Sequence, residues 1–130
     1  MAESRIVSDW LNLADEDFGF ATSNLTDPET NYFSFICFHF QQAAEKYLKA
    51  YIVAKKLRFE KIHDLEVLRK ICAKDNKLFK EIKEECIFLT DFYIEARYPA
   101  IWPTQYTRSE AEKAQKAVQK IKFLVESLLE

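Results

Sequence analysis

One glycine in 130 residues is the strongest constraint on what this chain can fold into. Gly19 stands alone, and only Pro28, Pro99 and Pro103 join it as chain punctuation. Folds rich in β-strand reverse direction often and rely on Gly, Asn-Gly and Pro to do it. So little punctuation predicts a few long helices.

Hydrophobic spacing places them. Ile6, Val7, Trp10, Leu13, Ala14, Phe18, Ala21 and Leu25 recur at intervals of three and four, predicting a helix over about 4–25. Asp27-Pro28 ends it, because proline disfavours the helical conformation at the residue before it. The longest segment, about 31–57, carries Ile36, Phe40, Ala43, Ala44, Tyr47, Ala50, Tyr51 and Ala54 on one broad stripe. Alanines at the centre of that stripe predict close approach of another helix. A short helix follows over about 65–73, with Asp64 as N-cap and Leu65, Leu68 and Ile71 inward. A fourth, about 76–94, buries Leu78, Phe79, Ile82, Cys86 and Leu89, with Tyr93 a further candidate. "RYPAIWPTQY" interrupts the pattern, since its prolines cannot continue a helix. "TRSE" at 107–110 is a capping box for a last helix over about 108–129. That helix turns Ala114, Ala117, Val118, Ile121, Leu124, Val125 and Leu128 inward, and Lys113, Lys116, Lys120 and Lys122 outward. The expected fold is all-α: an antiparallel up-and-down bundle of four main helices plus one short helix.

No linker-like stretch divides the chain, so residues 1–130 read as one domain. Apolar residues make up 48% and charged residues 31%, a globular profile. The net charge of −2 lacks the overall basic signature of strong DNA binding, although a local basic patch remains open. Cys37, Cys72 and Cys86 are odd in number and far apart, which fits a reducing cytoplasm better than a disulfide framework. Neither a leader-like apolar region nor a membrane-length apolar run is apparent. Two histidines with no H-x-x-x-H or carboxylate–histidine spacing argue against a catalytic metal, and one glycine excludes a glycine-rich phosphate loop, so no metal or cofactor is expected.

The polar edge of the second helix invites a functional reading. His39, Gln42, Lys46 and Lys49 lie within a strip ~80° wide, beside the apolar stripe rather than opposite it. An imidazole, an amide and two ammonium groups on one strip suit a phosphate-bearing ligand or an acidic partner. The alternative is structural: lysine stems snorkel at the core rim while His39 and Gln42 bond a neighbouring helix. In "YIEARYPA", Tyr93, Arg97 and Tyr98 fall at a helix end and the turn after it. Arg97 there can fork onto a phosphate, or it can cap the preceding helix's carbonyls. His63-Asp64 reads as an acid/base pair, as part of a metal site or, more simply, as a helix cap and its neighbour.

"FHFQQAAEKYLKAYIV" (38–53), "HDL" (63–65) and "ARYP" (96–99), in that order, resemble the HEPN domain (higher eukaryotes and prokaryotes nucleotide-binding). The likeness extends over about residues 5–128, with one residue fewer between His39 and the glutamine pair than the family pattern has. It implies a small helical bundle forming homodimers and acting beside a minimal nucleotidyltransferase, with a nucleotide as ligand. Carried over by position, the family motif implicates Gln41, Gln42, Lys46, Lys49, His63, Arg97, Tyr98 and Pro99.

Another branch resembles ribonucleases, including toxins of toxin–antitoxin pairs, and is marked by Arg and His with four to six residues between them. Arg97 stands where that arginine belongs, but no histidine follows His63, so the general base is missing. "RFEKIH", Arg58 to His63, has the spacing but precedes the third helix and reads as coincidence. Three functions follow in order of preference: a non-catalytic binding module, a ribonuclease toxin, and a purely structural interaction protein displaying Trp102 and Tyr106.

Overall fold

The computed structural model describes residues 2–93 and 106–130, with the side chains of the first few left aside. Helix α1 covers Ala2–Thr26, α2 Phe33–Ala54, α3 Leu65–Asp75, α4 Lys83–Thr90 and α5 Arg108–Leu129, with a 3₁₀ helix over Lys77–Ile82. No strand occurs among the described residues. The bundle is all-α, antiparallel and up-and-down.

Helix α2 is its axis. It packs against α1, α3, α4 and α5, so it buries far more than the single stripe expected. Thirteen of its 22 residues are buried, including Gln41, Glu45 and Lys49. Ala43, Ala44 and Ala50 are fully enclosed and let the neighbours approach closely. Ala54, at the end of the stripe, is only half-buried. Helix α1 is different: Ala14, Ala21 and Leu25 are inside, whereas Ile6 and Leu13 remain substantially exposed.

Helix ends follow local chemistry. The Asp64 carboxylate accepts from the Glu66 and Val67 amides, at 2.9 and 3.4 Å. The Thr107–Glu110 capping box is formed in both directions. The Arg108 guanidinium clasps the α1–α2 turn, donating to the carbonyls of Leu25 (2.7 Å) and Asp27 (3.1 Å) while lying over Phe33. Helix α2 ends in a Schellman arrangement, with the Leu57 amide donating to Ile52 O and the Lys56 amide to Val53 O. The position that usually takes glycine is occupied by Lys56, at φ 56°. A chain with one glycine has placed a side chain where the left-handed conformation costs about 1 kcal/mol.

The segment expected as one helix over 76–94 is divided. "KLFKEIK" repeats at three, and three residues per turn is the 3₁₀ period. Phe79 and Ile82 form its buried edge, Lys77, Lys80 and Lys83 a solvent edge. Leu78 therefore faces outward, 40% exposed, which corrects its expected burial. Asn76 starts the segment by accepting from the Leu78 amide.

Candidate functional site

The polar edge of α2 is divided between two neighbours, and each half is organised by a carboxylate that the sequence pattern did not single out. On the α1 side, Asp17 sits between His39 Nδ1 (2.9 Å) and Lys46 Nζ (2.5 Å). His39 is flanked edge-on by Phe20 and Phe38. For His39 these contacts fit the structural alternative, a bond to a neighbouring helix, and Lys46 adds an ion pair to the same carboxylate, whereas Gln42 bonds Gln41 on its own helix. One turn along, the Tyr47 hydroxyl donates to Asp15, which also takes Lys122 of α5 at 3.0 Å.

On the other side, Glu45 is the hub. It is 4% exposed, and three groups converge on its carboxylate. Lys49 Nζ lies 2.9 Å from one oxygen. The Gln41 amide donates at 3.3 Å. His63 Nδ1 lies 3.0 and 3.1 Å from the two oxygens. Gln41, Glu45 and Lys49 occupy one line of α2 at spacings of four, so the helix itself brings them together. The turn between α2 and α3 then lays His63 over them, and Gln41 Nε2 fastens that turn through His63 O at 3.1 Å. Gln42 Nε2 completes the chain by donating to Gln41 Oε1 at 2.8 Å. The Lys49 ammonium is roofed by Trp10 and Phe59, 5.9 and 5.7 Å from their ring centres.

Of the expected ligand-binding residues, Gln41 and Lys49 are buried and face inward. Their place is beneath the surface, holding Glu45 and the turn. His63 is the member that reaches solvent, with 45% of its side chain exposed. Its ring stacks on Tyr93 at 3.9 Å and 14°, bringing these two expected site residues together. Lys61, Ile62, His63, Asp64, Thr90 and Tyr93 line a cleft of about 380 Å³, a volume adequate for a small ligand. Thr90 ties its walls by accepting from the Leu65 amide and donating to Cys86 O. Arg97 and Tyr98, and with them Pro99 and Trp102, lie outside the described residues. Arg58 does not join His63: it pairs with Glu60 at 2.7 Å and lines a separate cleft beside α3.

Chemically, the Glu45 carboxylate fixes the His63 ring through Nδ1 and leaves Nε2 as the nitrogen for a ligand. Among the described residues no group of three or more His, Cys, Asp or Glu side chains is arranged to hold a metal ion. Nor is any helix among them long and apolar enough to cross a membrane.

A helical bundle built on this motif-bearing central helix, with a carboxylate-aligned histidine at the mouth of a cleft, defines a class that comparison with known proteins identifies. The HEPN domain family model matches residues 7–128, and the chain belongs to that family. It is similar to TT1696 from Thermus thermophilus, with 31% identity, a TM-score of 0.83, and 93% of this chain and 96% of that one covered. ST0689, an archaeal HEPN homologue, shares the fold at 22% identity and a TM-score of 0.74, over 95% of this chain and 98% of that one. No curated protein matches.

Proposed function

We propose that the chain is a nucleotide-binding module whose ligand enters the His63–Tyr93 cleft, and that it works as a homodimer beside a minimal nucleotidyltransferase. One observation carries the reading: a solvent-reaching imidazole, aligned by a buried carboxylate and stacked on an aromatic ring, at the mouth of a cleft of about 380 Å³. With Nδ1–H held by Glu45, the neutral ring offers Nε2 as an acceptor for a base amino group. Against a phosphate, a protonated ring would donate through the same nitrogen. Lys61, on the cleft wall, supplies a compact cation. Arg97 follows Tyr93 by four residues in the sequence and, by the family motif, adds a phosphate fork. Ile6, Leu13 and Phe20, spaced by seven along α1 and exposed, offer an apolar strip for self-association.

Isothermal titration calorimetry with a panel of mononucleotides tests the reading. Binding lost in His63→Ala supports it, and no heat with any nucleotide sinks it. Metal-independent cleavage of RNA would move the assignment to the ribonuclease branch of the family. Light scattering tests the dimer, and affinity capture followed by mass spectrometry tests the nucleotidyltransferase partner.

A further inference from the structure

The positive charge of this net-acidic chain is unevenly placed. Residues 65–83 carry six basic side chains against three acidic ones, while the whole chain has 19 basic and 21 acidic. Two of the three carboxylates are already engaged. Glu66 is held by Arg69 through two bonds, at 2.5 and 3.0 Å, and Asp75 accepts from the Tyr51 hydroxyl at 2.5 Å.

Five lysines remain, and four of them share a cleft. Lys70 and Lys74 from α3, and Lys80 and Lys83 from the 3₁₀ segment and the start of α4, line one open cleft of about 500 Å³ with Arg69 and Ala73. All four are exposed, and none forms an ion pair with another described residue. Their fields converge: Lys70 and Lys83 both add to the influence of Arg69 in holding Glu66 below the usual carboxylate range. The 3₁₀ geometry sets their order. At three residues per turn, side chains three apart eclipse, so Lys80 and Lys83 share one edge of the segment with Lys77, which stands outside the cleft lining.

We propose that this cleft binds the phosphate backbone of a single-stranded nucleic acid, independently of base sequence. A cleft lined by four lysines with no ion-pair partner among the described residues suits several successive phosphates better than a single anion. The lining has no aromatic ring on which a base could stack, so contact is through phosphate and without base preference. Its concave form fits a strand better than a flat membrane surface. The site is separate from the His63 cleft, although α3 runs from one to the other over roughly 16 Å.

Fluorescence anisotropy with a fluorescein-labelled 15-residue oligo-dT measures it on the full chain. Four lysine–phosphate contacts give a log–log salt slope near −3, or about 50-fold weaker binding at 200 mM than at 50 mM KCl. Lys74→Gln/Lys80→Gln/Lys83→Gln should flatten the slope to about −1 and weaken binding at least about tenfold at 50 mM. Unchanged circular dichroism will confirm that this variant is folded. The comparison variant is Lys113→Gln/Lys116→Gln, in the α4–α5 groove where Glu84 and Glu85 already offset the charge; it should bind as the parent does. The proposal is overturned by absence of binding at 50 mM KCl, or by equal loss in the comparison variant. It is equally overturned by loss in His63→Ala or displacement by a mononucleotide, either of which would assign the strand to the other cleft. Capture by phosphatidylserine vesicles without oligonucleotide binding would overturn it in favour of a membrane.

Discussion

Glu45→Gln separates a buried ion pair from an ordinary surface one. Glu45 and Lys49 are 4% and 6% exposed, and their charged atoms are 2.9 Å apart. The amide keeps the shape of the carboxylate but removes its charge, stranding the Lys49 ammonium beneath Trp10 and Phe59. Removing one member of such a pair costs about 3–5 kcal/mol. Against a typical domain stability of about 5–15 kcal/mol, that is a large share. In urea melts followed by circular dichroism the midpoint should fall by about 2 M. Replacing both charges, Glu45→Met/Lys49→Met, leaves no stranded ion. Gln41 keeps its bond to His63 O, and His63 can turn to water. The double variant should therefore cost only about 1–2 kcal/mol, less than either single change. A cost below about 1 kcal/mol for Glu45→Gln, or single costs that simply add in the double, would refute a desolvated pair at this position.

Asp17→Asn removes two charge-assisted bonds, but His39 and Lys46 are 31% and 24% exposed. Its expected cost is about 1–2 kcal/mol in the same melts, clearly below that of Glu45→Gln. Lys56→Gly relieves a left-handed side chain and should raise stability by about 0.5–1 kcal/mol in thermal unfolding. The three thiols are fully buried and should resist a disulfide reagent until the chain is unfolded. Burial pushes Cys37 and Cys72 up to about 12, and raises Cys86 as well. Unfolded thiols ionise near about 8.5. The unfolded state thus holds fewer protons between about pH 8.5 and 12, and the thiol contribution to stability, complete below that window, should decline through it. Urea midpoints measured across the window check this.

The bundle was legible because its evidence is local. The apolar spacing in α2, the Asp64 cap and the Thr107–Glu110 box each lie within a few residues of the structure they specify. The 76–94 segment was misread because spacings of three also occur in α-helices. The unbroken period of "KLFKEIK" was the available signal for the 3₁₀ turn that exposes Leu78. The site was less legible for a different reason. Asp17 meets His39 across 22 residues, and His63 meets Glu45 across 18, which no helical wheel displays. Glu45 did carry a hint, standing four residues from both Gln41 and Lys49 on a line that continues into buried helix. A glutamate beside a lysine reads as a solvated pair until a neighbouring helix and a turn are folded over it.

The Arg108 clasp bears on how long the bundle stays shut. Its acceptors, the carbonyls of Leu25 and Asp27, lie 83 and 81 residues away in sequence. Helices α1 and α2 adjoin and meet at little entropic cost, but this contact closes a loop of most of the chain. Its formation is therefore expected only as the last helix docks. A contact absent from the folding transition state leaves the speed of assembly unchanged and acts on the rate of opening. On that expectation the guanidinium is a latch on opening, and Arg108→Ala should speed unfolding while leaving the refolding rate unchanged in stopped-flow measurements.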